Sequence, residues 1–196
     1  DTLTKNDTLG AEFRTANGRI VYEGHGIQPD VKIEPEMLST ITAHLYAQNM
    51  IFKYANKFYR EHKTIASPDK FEITDEIYND FVKFVESQDF KYTSESEKDF
   101  EELVKTAKTE GYYDNIKEQL DLLEEELKSH KDNDLVNNKK EISDILKMEI
   151  VSRYYFQKGR IISALNDDPE LKRAVEILLN SNGKNEYETI LKGINN

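Results

Sequence analysis

The residues with the widest chemical range in this sequence are four histidines and a short acidic run. Histidine can act as a general base or bind a metal, and zinc-binding helices typically carry two histidines four residues apart beside a glutamate. His25, His44, His62 and His130 show no such spacing. The run Asp132-Asn133-Asp134 lacks the glycine and the terminal glutamate of a calcium loop. We therefore predict no metal site and no cofactor site.

The most distinctive stretch is residues 17–31, which holds three of the chain's eight glycines. Its opening pair, Asn17-Gly18, is typical of a two-residue hairpin turn, because both central positions of that turn need positive φ. Short strands are predicted on either side, over 12–15 and 19–22. His25, which lies between two glycines, could contact a substrate, although an exposed turn residue is the simpler interpretation.

The order of residues in this stretch resembles the segment that closes the catalytic domain of the carboxyl-terminal processing peptidases, also called tail-specific proteases. The residues that carry the resemblance are Gly18, Arg19, Val21, Gly26, Ile27, Pro29 and Asp30. Residues 149–160 are similar, more loosely, to the helical tail of the larger gram-negative members. Both likenesses imply that the 196 residues are the C-terminal part of such a peptidase.

The resemblance also implies where catalysis takes place. The family uses a Ser nucleophile and a Lys general base that lie upstream of this segment. No Ser-x-x-x-Lys in a strand–turn–helix setting, and no Gly-Lys-Gly, occurs here. We therefore predict no catalytic residue in this chain, although its parent would be a periplasmic serine-type endopeptidase. The implied partners are the upstream catalytic domain and a protein or peptide substrate, and a homodimer through the helical arm 112–165 is a further hypothesis.

Other side chains have a structural and a functional interpretation. Arg19 is expected to pair with a carboxylate of the catalytic domain rather than to bind a substrate carboxylate. Asp30 is expected to cap a turn or the helix that follows rather than to orient a catalytic group. Four tyrosines could line a peptide groove or pack between helices with their hydroxyls in water. They are Tyr112, Tyr113, Tyr154 and Tyr155.

Composition favours long solvated helices, since 33% of the residues are charged and 37% are hydrophobic. The net charge of −11 disfavours nucleic acid and anionic membranes as partners. No apolar run approaches the ~20 residues that a membrane helix needs. The acid is concentrated in residues 93–149, where 17 Asp and Glu face nine Lys. An alternative to the peptidase hypothesis is a stand-alone helical interaction or scaffold module that uses the acidic arm 112–165.

Apolar periodicity and capping residues predict six or seven helices, of which the last, 185–194, is the optional one. The first, from Pro35 to His62, is apolar on more than one side and should form the core, with Leu45 inside it. Thr74 and the Ser94/Glu97 pair are predicted caps, and Gly111 a stop. Gly159 is expected at a kink or a close contact, and Asn182-Gly183 at a helix end. The predicted ranges are 35–62, 75–87, 95–110, 112–129, 135–165, 169 to about 181, and 185–194.

We therefore predict a mainly α (α+β) fold. A short N-terminal β-hairpin is followed by six or seven helices, which include a long antiparallel pair made by the helix from 112 and the helix 135–165. Residues 1–34 would end the protease domain, and residues 35–196 would form a helical C-terminal tail domain.

Overall fold

The computed structural model describes residues 11–16, 18–23, 29–35, 37–179 and 181–192. Within these ranges the predicted mainly helical fold with one β-hairpin is confirmed. The chain divides into two compact units, residues 36–164 and residues 1–35 with 165–196. The elements are β1 (Glu12–Arg14), β2 (Ile20–Tyr22), α1 (Thr40–Ala47), α2 (Met50–Glu61), α3 (Asp75–Ser87), α4 (Glu95–Glu110), α5 (Tyr113–Asp132), α6 (Asp134–Asn137), α7 (Lys139–Ala164), α8 (Pro169–Leu179) and α9 (Ser181–Lys192).

The predicted single helix 35–62 is wrong, because two helices occupy this range. Ser39 caps α1, so the helix begins at Thr40 and Pro35 lies outside it. The Ser39 N–H and hydroxyl both donate to the Glu141 carboxylate at 3.0 Å, which fixes this start against α7. Asn49 then separates α1 from α2 in the left-handed conformation, with φ of 60°, which asparagine adopts more readily than most residues.

The hydrophobic core of residues 36–164 is built by α1, α2, α3 and α7. Helix α2 packs along α7, and Leu45 is fully buried as predicted. Arg153 adds a polar connection, because it donates to Asn56 of α2 at 2.7 Å and to Glu149 at 2.7 Å. The side chains of the core cluster are Ile41, Leu45, Met50, Ile51, Tyr54, Ala55, Phe58, Phe71, Tyr78, Phe81, Val85, Ile142, Leu146, Ile150 and Val151.

Helices α4 and α5 form a helical hairpin whose ends follow the predicted signals. Thr74 caps α3, and Ser94 with Glu97 forms the predicted capping box of α4. Gly111 ends α4 with φ of 77°, and α5 begins two residues later. Ala107 and Leu120 are the buried residues of the two helices. This α4–α5 hairpin is therefore a thin two-helix element.

The predicted single return helix 135–165 is wrong, because two helices, α6 and α7, occupy this range. The expected pairing of this helix with α5 is also wrong. Helix α7 packs mainly on α2, whereas α5 packs mainly on α4, so the long antiparallel pair is α4–α5. The kink in α7 lies at Phe156, with φ of 57°, three residues before Gly159. Gly159 is the predicted close contact, because a Cβ there would lie 2.2 Å from Tyr155 Cβ.

The unit of residues 1–35 and 165–196 holds the β-hairpin and the helical pair α8–α9. Strand β1 pairs with β2 in antiparallel register, with Phe13 opposite Val21, and every strand residue is exposed. Gly18 has the predicted positive φ, at 82°. Arg173 of α8 donates to Glu186 of α9. The predicted stop at Asn182-Gly183 is wrong, because both residues lie in the first turn of α9.

Candidate functional site

The prediction that the chain has no metal site rests on its sequence. The structure gives an ordinary structural role to the acidic run 132–134, which was considered as a calcium loop. Within the described ranges, no group of three histidine, cysteine or carboxylate side chains could hold a metal ion. Asp132 ends α5, and Asp134 begins α6 and accepts a hydrogen bond from Tyr92. No helix in the described part of the chain is both long and apolar enough to span a membrane.

The histidines that the structure describes have structural surroundings. His44 packs against Tyr92 with ring centroids 5.4 Å apart, and His62 stacks on Phe58 at 4.0 Å. His130 lies in the last turn of α5, where a cation is favourable to the helix dipole. His25 lies outside the described residues, as do Gly26 and Ile27 of the family-like stretch. The prediction that His25 is an exposed turn residue therefore stays a prediction.

Arg19 and Asp30 contact each other. The Arg19 guanidinium donates to the Asp30 carboxylate, and both side chains are partly exposed. This ion pair connects the β-hairpin to the segment 29–35 of the same unit. The helix that follows is capped by Ser39, not by Asp30. The structure therefore gives both residues a structural role within the chain.

The four tyrosines considered as a peptide groove are not brought together. Tyr154 donates to the His62 carbonyl at 2.6 Å, and Tyr155 donates to the Ile65 carbonyl at 3.3 Å. Tyr113 lies at the start of α5 beneath the ammonium group of Lys108, which is 4.7 Å from its ring centroid. Tyr112 is exposed in the turn before α5. These residues occupy helix contacts and a turn rather than one shared surface.

A polar network that sequence reasoning missed connects the open end of the α4–α5 hairpin to α6. Lys131 donates to both Glu97 oxygens at 2.8 Å and to the Tyr92 carbonyl at 2.5 Å. The Tyr92 hydroxyl donates to Asp134. Burial, and then the Asp134 carboxylate, raise the pKa of Tyr92 above its ordinary value. Burial opposes the charge on Glu97, but Lys131 and the Ser94 backbone outweigh it and lower the pKa of Glu97.

A groove runs between α4 and α5, with a volume of about 400 Å³. Its floor is apolar, and its rim is mostly acidic. The α4–α5 hairpin, residues 95–132, carries 13 carboxylates and six lysines, a net charge of −7. The floor consists of Phe100, Val104, Tyr113, Leu120 and Leu127, and the rim of Glu97, Glu101, Lys108, Asp121, Glu124 and Lys128. The arrangement can bind a ligand that is both apolar and basic.

A sequence signal for this groove exists in two apolar stripes. Phe100, Val104 and Ala107 share one face of α4, and Leu120 and Leu127 share one face of α5. The stripes predict that the two helices pack together. They do not indicate that the groove between the two helices stays uncovered, because that depends on where the rest of the chain packs.

A family model matches the chain. It is described as the C-terminal helical domain of a probable PDZ-protease, and it matches residues 41–178. These residues run from α1 into α8 and include the core and the α4–α5 hairpin. No curated protein and no solved structure matches the chain. The match fits the resemblance to the carboxyl-terminal processing peptidases that the sequence alone indicated. The chain therefore belongs to the family of C-terminal helical domains of probable PDZ-proteases.

Proposed function

We propose that the chain is the C-terminal portion of a serine-type endopeptidase of the carboxyl-terminal processing kind, which acts in the periplasm or elsewhere in the cell envelope. The observation that carries this proposal is the match over residues 41–178 to the C-terminal helical domain of a probable PDZ-protease. The family-like residues Gly18, Arg19, Val21, Pro29 and Asp30 support the same assignment independently, because they lie before the matched region.

Residues 1–34 end the catalytic domain in this proposal, and residues 35–196 form the tail. The β-hairpin supports the division. Its strands have three residues each, all exposed, and in the part of the chain that the structure describes they form a sheet of two strands. An isolated two-stranded hairpin is marginally stable in water, and unpaired strand edges readily accept another strand. We infer that β1–β2 extends a sheet of the upstream catalytic domain.

The tail itself is non-catalytic in this proposal. A Ser–Lys dyad works because a desolvated lysine with a lowered pKa can remove the serine proton near neutral pH. Among the described residues, the most buried lysine is Lys147, and its ammonium group lies 2.8 Å from the Glu72 carboxylate. The partner of this lysine is thus a carboxylate and not a serine hydroxyl. In this proposal the catalytic serine and lysine belong to the upstream catalytic domain.

The tail then shapes access of the substrate to the catalytic domain or joins two copies of the protein. The α4–α5 hairpin supports a role in contacts with another chain, because it exposes a groove and, outside that groove, large apolar side chains that include Leu103 and Leu123. The second candidate is a stand-alone interaction module, which the same groove would serve without any protease. The two candidates differ in whether an upstream serine and lysine exist.

The test compares the 196-residue chain with the product of its whole gene on a protein substrate that has an unstructured C-terminus. We expect cleavage by the whole product, loss of cleavage when the upstream serine is replaced by alanine, and no cleavage by the chain alone. Cleavage by the chain alone would contradict the non-catalytic role. A gene without an upstream serine and lysine would favour the interaction module. Sedimentation of the chain tests the homodimer hypothesis. A monomer at high concentration would contradict it.

A further inference from the structure

The groove between α4 and α5 has two carboxylates without an ion-pair partner in the part of the chain that the structure describes. Glu97 is paired with Lys131 and Glu124 with Lys128, so their charges are balanced locally. Glu101 of α4 and Asp121 of α5 also line the groove, both are exposed, and neither makes an ion pair among the described residues. The rim therefore presents one unpaired carboxylate from each helix. It also carries the Lys108 ammonium, which lies 4.7 Å from the Tyr113 ring centroid and makes no ion pair among the described residues.

The floor of the same groove is apolar and only partly covered. Leu120 is buried, whereas Phe100, Val104 and Leu127 remain half-buried at the contact between the two helices. A volume of about 400 Å³ accommodates several large apolar side chains. Water in such a groove is released when an apolar group enters, which is favourable. A ligand in the groove would thus contact both the apolar floor and the acidic rim.

We propose that this groove binds an amphipathic helix of another protein, which carries an apolar stripe with lysine or arginine on both sides. A helix that lies between α4 and α5 would insert residues at positions i, i+3 or i+4, and i+7 into the floor, as in other helix-in-groove complexes. Its basic residues would then lie beside Glu101 and Asp121. The net charge of −7 on the α4–α5 hairpin attracts such a helix and steers its approach.

Charge also argues against a second copy of this groove as the occupant. Two α4–α5 hairpins packed groove to groove would bring together two surfaces of net charge −7. Like charges at an interface disfavour association. The proposal goes beyond the peptidase assignment and does not depend on it, since it concerns only the helices and not the chemistry upstream. Failure of one leaves the other untouched.

The experiment uses the full 196-residue chain and a fluorescein-labelled helical peptide of about 15 residues, a length at which a designed helix begins to be stable. The basic peptide carries leucine at i, i+3, i+4 and i+7 and lysine on both flanks. Two comparison peptides replace the leucines by serine or the lysines by glutamate. Fluorescence anisotropy near physiological ionic strength should show binding of the basic peptide, with much weaker binding of the other two.

Paired charge reversals then locate the binding surface. The groove variant is Glu101→Lys with Asp121→Lys. The matched control is Glu102→Lys with Glu125→Lys, which has the same net charge and also alters one exposed position on each helix, but away from the groove. We expect the groove pair to weaken the basic peptide by about tenfold or more and the control pair by less than about threefold. Circular dichroism establishes that both variants are folded.

Four outcomes would overturn the proposal. They are no binding of the basic peptide to the unmodified chain, equal binding of the serine or glutamate peptide, and equal weakening by the groove and control pairs. The fourth is a homodimer in sedimentation that the groove pair dissociates, because a second copy would then be the occupant. Equal weakening would mean that the whole acidic surface attracts the peptide and that the groove adds nothing.

Discussion

The core made by α1, α2, α3 and α7 and the α4–α5 hairpin are both helical, but they are stabilised in different ways. In the core, Leu45, Tyr54 and Phe81 are completely buried, and α2 and α7 pack along their lengths. In the hairpin, Ala107 and Leu120 are the buried residues of two helices that together span 95–132. Burial of apolar surface therefore holds the core, whereas the hairpin depends on interactions at its ends.

The ends of the hairpin supply stabilising interactions, which its thin interior lacks. The Ser94–Glu97 capping box satisfies backbone N–H groups at the start of α4, and Lys131 from the end of α5 binds the same Glu97. Gly111 closes the other end in a left-handed conformation. An element held at its ends can leave one side open. The groove between α4 and α5 lies on such an element.

The largest effect is expected for Leu45→Asp in the core. An unpaired carboxylate would replace a side chain that is 0% exposed, and a buried uncompensated charge is among the few changes that cost more than about 4 kcal/mol. We expect a chain without a cooperative thermal transition by circular dichroism. The control is Leu122→Asp in α5, where the leucine is 64% exposed. It should change the free energy of unfolding by less than about 0.5 kcal/mol. Similar effects at both positions would remove the distinction between core and hairpin.

Two glycines distinguish the regions by different physical causes. A Cβ at Gly159 would lie 2.2 Å from Tyr155 Cβ, whereas a Cβ at Gly111 would contact nothing within 4 Å and only the φ of 77° opposes it. We expect Gly159→Ala to lower the free energy of unfolding by about 1–3 kcal/mol through overpacking. Gly111→Ala should lower it by about 1 kcal/mol through backbone strain.

Substitution by asparagine separates these two causes, because asparagine tolerates positive φ. Gly111→Asn should recover most of the loss caused by Gly111→Ala, whereas Gly159→Asn should be at least as destabilising as Gly159→Ala. Urea unfolding measures all four variants. A stabilising Gly159→Ala, as in an ordinary exposed helix, would contradict the close contact.

Alkaline pH should destabilise the core. Burial raises the pKa of Tyr78 to about 12, from about 10 in an unfolded chain. Burial, followed by the hydrogen bond to Asp80, raises the pKa of Tyr54 as well. Because the folded pKa is the higher one, the stabilisation is complete below pH 10 and is lost as pH rises from about 10 to 12.

Urea unfolding as a function of pH checks this loss. The free energy of unfolding of the unmodified chain should fall between pH 10 and 12. That of the Tyr78→Phe variant should fall less steeply, because one titrating group is gone. Tyr112→Phe is the matched control, since it removes a hydroxyl from a side chain that is 58% exposed. Identical slopes for the unmodified chain and Tyr78→Phe would mean that ionisation of Tyr78 is not coupled to folding.

Local signals predicted the helices well wherever a cap decides the boundary. Thr74, Ser94 and Gly111 bound α3 and α4 in sequence and in structure, because caps act within one turn of the chain. Two boundaries could not be obtained in this way. The break at Asn49 needs a left-handed residue that the apolar pattern hides, and Asn182-Gly183 lies in a helix although the pair is typical of turns.

Pairing between helices was the weaker part of the sequence prediction. The stripe of α5 and the long apolar run of α7 are compatible with several partners, and α7 packs mainly on α2, far away in sequence. The groove on the α4–α5 hairpin follows from that choice, because α7 does not cover it. The network of Tyr92, Lys131 and Asp134 likewise depends on contacts more than 30 residues apart in sequence.

The smallest effect is expected at the cap of the hairpin. Ser94→Ala removes the hydroxyl that accepts from the Glu97 N–H at 3.2 Å, and loss of such a cap costs about 1 kcal/mol. Because the hairpin has little burial to compensate, amide exchange should rise in α4 and at the end of α5, while exchange in α2 and α7 stays unchanged. Ser96→Ala, at an exposed position in the first turn of α4, should leave exchange as it is. Equal acceleration in α2 and α7 would mean that the hairpin and the core unfold together, and that end interactions stabilise both.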